Sequence, residues 1–226
     1  MSKDITVVMP AYNEGDRIGA TLDALKKSKH VNRIVVIDDG SKDGTADIAA
    51  KKGAEVHRLE KNQGKGYALN YGIHYAVDTS EIVLLLDADL GDSAGEADKL
   101  ISPIIEGLTD VTIARFPAAS KKGGFGLVKK LARYGVKFYT GQMIYTSLSG
   151  QRAFKSDVLK KLGILPVDYG VEVGMTIDIL RMGYRIQEVD VNMTHRETGR
   201  DLQGFVHRGK QFYQISKTLL KKYREV

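Results

Sequence analysis

One segment constrains the fold of this chain more than any other. Residues 82–92, with the sequence IVLLLDADLGD, are an apolar run that ends in carboxylates. The uninterrupted apolar residues 83–86 are typical of a central parallel strand buried on both faces. Asp87 and Asp89 follow at its carboxyl end, where open α/β sheets bind ligands. Carboxylate oxygens suit Mg²⁺ or Mn²⁺, so we expect a metal site here. The alternative is a polar loop with two solvated aspartates.

Apolar runs of strand length alternate with helical spacings through the first half of the chain. The predicted strands are residues 5–9, 33–37, 55–59, 82–86 and 111–114. Between the first two runs, Ile18, Leu22 and Leu25 recur at helical spacing. Pro10 is expected to end the first strand, because proline lacks the N–H that a sheet ladder needs. This alternation predicts a doubly wound, mostly parallel α/β sheet flanked by helices.

The second half of the chain is less regular. Helices are predicted over residues 125–140, 171–182 and 204–222, strands over 149–155 and 184–191, and a polar loop over 195–204. No internal repeat, low-complexity tract or linker divides the sequence. We therefore expect a single domain over residues 1–226.

Composition excludes some classes of chemistry. The chain has no cysteine, so disulfides, thiolate catalysis and cysteine-ligated zinc are excluded. Its start lacks the apolar stretch of a signal peptide, and no apolar run is long enough to cross a bilayer, so we expect a cytoplasmic protein. The net charge of +6 indicates anionic ligands such as phosphates, nucleic acid or a lipid surface. Simple solubility is the alternative explanation of that charge.

The loop after the first predicted strand, residues 10–15 (PAYNEG), matches neither the G-x-G-x-x-G dinucleotide fingerprint nor a P-loop. Tyr12 could stack on a base while Glu14 accepts a hydrogen bond from a hydroxyl or amide group of the ligand. The alternative is a plain strand-to-helix turn.

Two further segments follow predicted strands. Asp39, in the pair Asp38-Asp39, can accept a hydrogen bond from a base N–H or a ribose hydroxyl, although an Asx turn would use the same residues. Residues 62–66 (NQGKG) combine backbone N–H groups with the cation of Lys65. That combination suits a phosphate or a ribose, and a solvated glycine-rich turn is the alternative.

Taken together, PAYNE, DDGS, NQGKG and DAD, in this order and spacing, resemble the motifs of family 2 glycosyltransferases with the GT-A fold. The resemblance covers about residues 4–115. It implies that about residues 1–115 are a nucleotide-sugar-binding half and about residues 116–226 an acceptor-binding half. It implies a UDP-sugar donor and a Mn²⁺ or Mg²⁺ cofactor. Asp87 and Asp89 would hold the metal, with Asp89 the more direct ligand. The implied nucleotide-binding residues are Pro10, Ala11, Tyr12, Glu14, Asp39, Lys65, Asp87 and Ala88.

A looser resemblance covers the second half. The segment SGQRAF looks like the acceptor-side strand of these enzymes, which implies that Gln151 and Arg152 contact the acceptor. The segment YGVEVG, followed by His195-Arg196, is similar to glucosyl-3-phosphoglycerate synthases, in which a late histidine completes the metal site. His195 matches that position, and a surface histidine is the alternative. The Q-x-x-R-W motif of processive synthases is missing, which implies transfer of one sugar per acceptor.

Two carboxylates in the second half of the chain are candidates for the reaction at the acceptor. If the acceptor hydroxyl attacks directly, Glu172 or Asp168 would be its general base. Glu172 could instead only orient the acceptor, and a retaining reaction needs no protein base. We expect an anionic acceptor, either a small phosphorylated molecule or a lipid phosphate.

Two alternative functions stay open on the sequence alone. The first is a polyprenyl-phosphate glycosyltransferase that contacts the membrane peripherally through the basic helix of residues 125–140. An ordinary core helix with a solvated basic face would show the same pattern. The second is a nucleotide- or nucleic-acid-binding module without transferase activity. We expect no nucleic-acid partner, because clustered carboxylates repel phosphates unless a metal intervenes.

Overall fold

The apolar runs of the first half form neighbouring strands of one mixed sheet. The computed structural model describes residues 4–117, 126–166, 170–194 and 202–224, with side chains of the last range described from residue 209 onward. The strands are β1 (Ile5–Ala11), β2 (Arg33–Asp38), β3 (Glu55–Arg58), β4 (Ile82–Leu85), β5 (Val111–Arg115), β6 (Arg152–Lys155) and β7 (Ile186–Asp190). Their order in the seven-stranded sheet is β3-β2-β1-β4-β6-β5-β7.

Helices connect the strands and cover both faces of the sheet. They are α1 (Gly15–Leu25), α2 (Thr45–Lys51), α3 (Lys65–Ala76), α4 (Ala97–Ile105), α5 (Leu127–Thr140), α6 (Ser156–Leu162), α7 (Val171–Arg181) and α8 (Leu202–Arg224). A 3₁₀ helix, Gly91–Glu96, precedes α4. The short helix α6 is one that the sequence pattern did not predict.

Strand β4 lies at the centre of the sheet, as its apolar run predicted. Val83 and Leu84 are fully buried and belong to different apolar clusters, because successive side chains of a strand point to opposite faces. Leu84 shares its cluster with Leu22 of α1, and Val83 shares the other with Ile179 of α7. Helices thus pack on both faces of β4, and the doubly wound, mostly parallel sheet is confirmed.

One strand runs against the others. β6 pairs antiparallel with both β4 and β5, whereas β1, β2, β3 and β4 pair in parallel. Its first residue, Arg152, therefore lies at the same edge of the sheet as the carboxyl end of β4, where Leu85 is its partner. This reversal brings a segment of the second half to the edge where Asp87 and Asp89 emerge.

Strand β1 continues through Pro10 to Ala11, two residues beyond the predicted end. The Leu86 N–H donates to the Val8 carbonyl over 3.2 Å, so the polar backbone groups of Val8 point toward β4. The backbone nitrogen and carbonyl of Pro10, two residues later, also point toward the β4 side, but β4 ends at Leu85. The N–H that proline lacks is not needed there, so Pro10 does not end the strand.

A charge cluster ties β5, β6 and β7 together at the opposite edge of the sheet. The buried carboxylate of Asp110 accepts hydrogen bonds from Lys155 Nζ at 2.6 Å and from the Arg185 N–H at 2.9 Å. Burial by itself would raise the pKa of Asp110, but the bonds from Lys155 and Arg185 outweigh it and lower the pKa to about 2.

Asp110→Asn should therefore reduce the free energy of unfolding by about 2 kcal/mol at pH 7. The folded pKa lies below the unfolded value, so this contribution is complete above about pH 4 and is lost as the pH falls toward 2. Urea unfolding of both proteins between pH 2.5 and pH 7 would measure it. Asp190→Asn, at the exposed pair with Arg115, is the control and should change little. A difference that stays constant across this pH range would contradict the prediction.

Candidate functional site

The carboxyl ends of β1, β2 and β4, together with the start of α3, surround an open cavity of about 360 Å³. Its lining residues are Pro10, Ala11, Tyr12, Glu14, Asp39, Asn62, Gly64, Lys65, Ala68, Asp87, Ala88 and Asp89. All of the residues predicted as nucleotide-binding line it, and so does Asp89. The structure adds Asn62 and Gly64 from the glycine-rich turn. It also adds Ala68, one helical turn after Lys65.

The loop after β1 is held by the loop after β2. Asn13 has a positive φ of 53°, a conformation that asparagine tolerates better than most residues. Its N–H donates to Ser41 Oγ at 2.8 Å, and the Glu14 N–H donates to Thr45 Oγ1 at 2.9 Å. These bonds fix the loop while the ring of Tyr12, 44% exposed, stays at the rim of the cavity, accessible to a planar ligand.

Asp39 anchors the glycine-rich turn. Its side chain is almost fully buried, and its two oxygens accept the N–H groups of Gln63 and Gly64, each at 2.8 Å. Gly64 has a φ of 94°, a conformation that favours glycine. A carboxylate oxygen has more than one acceptor site, so Asp39 can accept a further hydrogen bond from a ligand in the cavity.

Asp87 is held from two sides. Its Oδ1 accepts a hydrogen bond from Lys65 Nζ at 2.5 Å, and its Oδ2 accepts one from Gln151 Nε2 at 2.6 Å. The first donor comes from α3 and the second from the residue before β6, so this aspartate joins the two halves of the chain. Gln151 was predicted to contact the acceptor; the structure brings its amide to Asp87, and the acceptor role stays a prediction.

The Asp-Ala-Asp segment is also fixed to α1. The hydroxyl of Thr21 donates to the Ala88 carbonyl at 2.8 Å and accepts the Gly91 N–H at 2.8 Å, while Arg17 Nη1 donates to the Asp89 carbonyl at 3.1 Å. Thr21 is fully buried. The sequence analysis missed this residue, because a threonine at the helical spacing of core residues carries no signal of a polar role.

The charged groups around the cavity shift one another's pKa values. Burial by itself would lower the pKa of Lys65, but Asp87, Glu172 and Asp89 outweigh it and raise the pKa, so the ammonium group is charged at neutral pH. Burial raises the pKa of Glu172, opposed by Arg152 and Lys65. Glu172 does not line the cavity itself, but its carbonyl accepts a hydrogen bond from Arg152, the neighbour of the residue Gln151 that binds Asp87, so the start of α7 lies near the cavity.

Arg152 is fully buried behind the cavity rather than in it. Its Nε donates to the Ser149 carbonyl at 2.7 Å, its Nη1 to Thr176 Oγ1 at 3.0 Å, and its Nη2 to the carbonyls of Ser147 at 2.7 Å and Glu172 at 3.3 Å. Burial lowers the pKa of Arg152 to about 10, so the guanidinium remains charged at neutral pH. Any effect of Arg152 on an acceptor is indirect in this arrangement, through the loop and the helix that it joins.

Two predicted site residues, Asp168 and His195, lie outside the described residues, so their roles as base and metal ligand stay predictions. Among the side chains that the structure does describe, no group of three or more His, Cys, Asp or Glu residues is placed to hold a metal ion. Asp87 and Asp89 alone would give an incomplete coordination shell, which a ligand oxygen would have to complete.

Comparison with known proteins gives relatives over most of the chain. A family model described as glycosyl transferase family 2 matches residues 6–163. An uncharacterized protein of Methanocaldococcus jannaschii is 36% identical over 202 residues, which are 86% of this chain and 83% of that protein. An undecaprenyl-phosphate mannosyltransferase of Micrococcus luteus is 27% identical over 209 residues, which are 86% of this chain and 85% of that protein.

A solved structure is similar over almost the whole fold. It is the glucosyl-3-phosphoglycerate synthase from Mycobacterium tuberculosis in complex with Mn²⁺, UDP and glucosyl-3-phosphoglycerate. The TM-score is 0.77 at 27% sequence identity, and the match covers 97% of this chain and 79% of that one.

Proposed function

Because this chain belongs to glycosyltransferase family 2, we propose that it transfers one sugar from a UDP-sugar, with glucose as the first candidate, to a phosphorylated acceptor. The observation that carries the proposal is the single cavity lined by Tyr12, Asp39, Lys65, Asp87 and Asp89. These residues supply an aromatic face, a buried acceptor, a cation and paired carboxylates, which a nucleotide diphosphate requires. As the chain is a glycosyltransferase, the alternative of a binding module without transferase activity is set aside.

In this proposal the uracil and ribose lie between Tyr12 and Asp39, and Pro10, Ala11, Glu14 and Ala88 line the same part of the cavity. The division into a donor half, residues 1–115, and an acceptor half, residues 116–226, is part of the same proposal. The synthase from Mycobacterium tuberculosis was also solved with UDP-glucose, Mn²⁺ and phosphoglyceric acid, which supports UDP as the nucleotide.

The donor chemistry of Asp87 and Asp89 fits a divalent metal. Both carboxylates line an open cavity, and their hard oxygens suit Mn²⁺ or Mg²⁺ held jointly with a diphosphate. His195 is the proposed third protein ligand. When bound, such a metal supplies Lewis-acid stabilisation of the leaving diphosphate. Lys65 adds a fixed positive charge on the same side, where negative charge develops as the sugar–phosphate bond breaks.

We assign Glu172 a contact with the acceptor substrate. The raised pKa of Glu172 and the place of its helix start near the cavity support a contact with the attacking oxygen, either as a general base or by orientation. Asp168 is kept as the second candidate for the base. If the attacking atom is a phosphate oxygen, it has no proton to lose and needs no general base. The role of Glu172 or Asp168 as a base therefore depends on the acceptor.

A phosphate group is what the candidate acceptors share. Phosphoglyceric acid is bound in structures of the Mycobacterium tuberculosis synthase, while a polyprenol monophosphomannose synthase of Mycolicibacterium smegmatis is 25% identical to this chain over 207 residues. A small phosphorylated acid and a polyprenyl phosphate are therefore the two acceptor classes to test.

The test is a matrix of donors and acceptors, read by nucleotide release and by product mass. UDP-glucose, other UDP-sugars and GDP-mannose would each be combined with phosphoglycerate, with polyprenyl phosphate and with no acceptor, in the presence of Mn²⁺. We expect release from a UDP-sugar that depends on a phosphorylated acceptor. Release only from GDP-mannose, or only with an acceptor that lacks phosphate, would contradict the proposal. In the same assay, Glu172→Gln should lower kcat if Glu172 is the base and raise KM if it only orients the acceptor.

Asp39→Ala should weaken UDP binding by about 1–3 kcal/mol, because a base or ribose donor loses a buried, charged acceptor. Titration calorimetry of UDP on both proteins would measure this. Since Asp39 also anchors the turn of Gln63 and Gly64, urea unfolding is measured in parallel. Asp47→Ala, on the exposed face of α2, is the matched control. Unchanged affinity for UDP in Asp39→Ala would overturn the assignment.

A further inference from the structure

Helices α5 and α8 pack side by side and expose a surface of aromatic, apolar and basic side chains, which we call the α5–α8 face. Its exposed aromatic and apolar members are Leu127, Tyr134, Phe138, Phe212, Tyr213, Leu220 and Tyr223. Its exposed basic members are Lys130, Lys137, Lys210, Lys217, Lys221 and Arg224.

On α5 the exposed apolar residues form one stripe. Leu127, Tyr134 and Phe138 are seven and four residues apart, which places them within about 20° of one line along the helix. Tyr134 and Phe138 are 60% and 73% exposed, although they belong to residue types that usually pack inside. Lys130 and Lys137 lie beside the stripe, about 60–80° around the helix from it. The buried side of α5 is a different one and carries Ala132 and Val136.

On α8 the inner and outer sides are equally distinct. Ile215 is almost fully buried, and Thr218 and Leu219 lie on the same side of the helix and contact glycines of α7 and α5. Tyr213 lies on the side opposite Ile215 and Tyr223 on the flank of the helix, and they are 68% and 66% exposed. Most of the surface of both residues is thus left outside the packing that holds α8 in place.

Close contacts fix α8 in this position. A Cβ atom on Gly135 of α5 would lie 2.6 Å from Leu219 Cδ2, and one on Gly170 would lie 1.9 Å from Thr218 Oγ1, so any larger residue at either site would force these side chains to shift. The Tyr139 hydroxyl donates to the Leu219 carbonyl at 2.6 Å, and Lys222 pairs with Asp178 of α7. The aromatic residues of the α5–α8 face are therefore presented by a rigidly seated helix pair.

The charged side chains of this face are all positive. Neither residues 127–140 nor residues 202–224 contain an aspartate or a glutamate. A second copy docked face to face would bring like charges together, which disfavours self-association through this surface. An anionic lipid surface complements it, since tyrosine and phenylalanine rings bury their apolar bodies at headgroup depth while lysines approach the phosphates.

We propose that the α5–α8 face binds the surface of an anionic lipid bilayer and that, if the proposed transferase function holds, the acceptor is a lipid phosphate. No described helix is both long enough and apolar enough to cross a membrane. The basic amphipathic segment predicted over residues 125–140 is one half of this surface, and α8 is the other. Lys121, Lys122 and Phe125, from the sequence before α5, lie outside the described residues.

The position of the face relative to the cavity supports a lipid acceptor. Thr218 contacts both Gly170 and Gly174, and Lys222 pairs with Asp178, so α8 runs alongside α7 in the same direction. Residues 209–213 therefore extend past the start of α7, the end of that helix that carries Glu172. A bilayer bound to the α5–α8 face would lie beside the acceptor side of the cavity.

The experiment is co-sedimentation with vesicles made of phosphatidylglycerol and phosphatidylcholine or of phosphatidylcholine alone, at low and at physiological ionic strength. We expect binding to the anionic vesicles only, and weaker binding at the higher ionic strength. Lys130→Glu with Lys137→Glu should reduce the partition coefficient by at least about thirtyfold, because two cations are lost and two negative charges are added. Tyr134→Ser with Phe138→Ser should reduce it about tenfold or more, since both apolar side chains leave the interface.

The controls match each pair of substitutions in chemistry and exposure. Lys26→Glu with Lys27→Glu makes the same change of charge at the end of α1, and Leu108→Ser with Ile164→Ser removes two exposed apolar side chains elsewhere. Both control pairs should bind vesicles as the wild type does. Absence of binding to anionic vesicles, or equal losses in the controls and the α5 variants, would overturn the proposal. So would tighter binding to duplex DNA than to the vesicles.

Vesicle binding is measured without donor or acceptor, so its result does not depend on the transferase assay. Thermal stabilisation by UDP with Mn²⁺, measured on the same variants, should stay unchanged. If vesicles bind and no transfer occurs to any acceptor, the proposed function fails while the docking surface stands. If transfer occurs only to a soluble acceptor and vesicles do not bind, the docking surface fails while the proposed function stands.

Discussion

Asp89→Ala should remove about 2–4 kcal/mol of transition-state stabilisation, which lowers kcat/KM by about 30- to 1000-fold. The carboxylate lines the cavity where the diphosphate of the donor is proposed to lie, and its backbone is fixed by Arg17. Its loss would remove the more direct of the two proposed metal ligands while the surrounding backbone remains held. Nucleotide release under saturating Mn²⁺ is the measurement.

Asp92→Ala is the matched control for this experiment. Asp92 is exposed, follows in the same segment and does not line the cavity, so its replacement should leave activity nearly unchanged. Wild-type activity in Asp89→Ala, in the presence of excess EDTA, would show that neither this carboxylate nor a divalent metal takes part in the reaction.

Arg152→Met should destabilise the fold by about 2–6 kcal/mol, because the carbonyls of Ser147 and Ser149 would each lose a hydrogen-bond donor at a cost of about 1–3 kcal/mol. The guanidinium donates to the carbonyls of Ser147, Ser149 and Glu172, which stay in place when the charge is removed. Methionine keeps much of the side-chain volume, so the loss reports hydrogen bonding and charge rather than a cavity. Urea unfolding at neutral pH would measure it.

The control is Arg115→Met, because Arg115 is an arginine whose pair with Asp190 is exposed to solvent. We expect little change in its unfolding free energy. A destabilisation by Arg152→Met no larger than that of Arg115→Met would mean that the buried guanidinium does not hold the start of α7 and the loop before β6 together.

The convergence of the residues that line the cavity was predictable because of a general property of parallel sheets. The carboxyl ends of parallel strands meet at one edge, so residues that follow separate apolar runs, such as Tyr12, Asp39 and Asp87, converge even though they are far apart in sequence. Lys65 was found in the same way, since the turn that contains it follows the third strand. The sequence motifs and the strand ends pointed to the same residues.

The parts that were missed depend on contacts between distant segments. The direction of β6 follows from its pairing with β4 and β5, and four residues carry no signal of strand direction. The burial of Arg152 follows from that reversal, whereas arginine is ordinarily an exposed residue. Thr21 acquires its role only once α1 lies against the Asp-Ala-Asp segment. Each of these features is set by tertiary packing rather than by local pattern.

The reversed strand also has a consequence for how the chain folds during synthesis. β4, the most apolar strand, lies between β1 and β6, and no other strand pairs with its second edge. β5 is made earlier than β6 but pairs only with β6 and β7, so it cannot cover that edge. Until residues 152–155 leave the ribosome, the nascent chain carries β4 with one edge of unpaired backbone groups, the kind of edge that recruits other strands and aggregates. The centre of the sheet therefore closes late, and a nascent chain that stops short of residue 152 keeps this edge of β4 open to other chains.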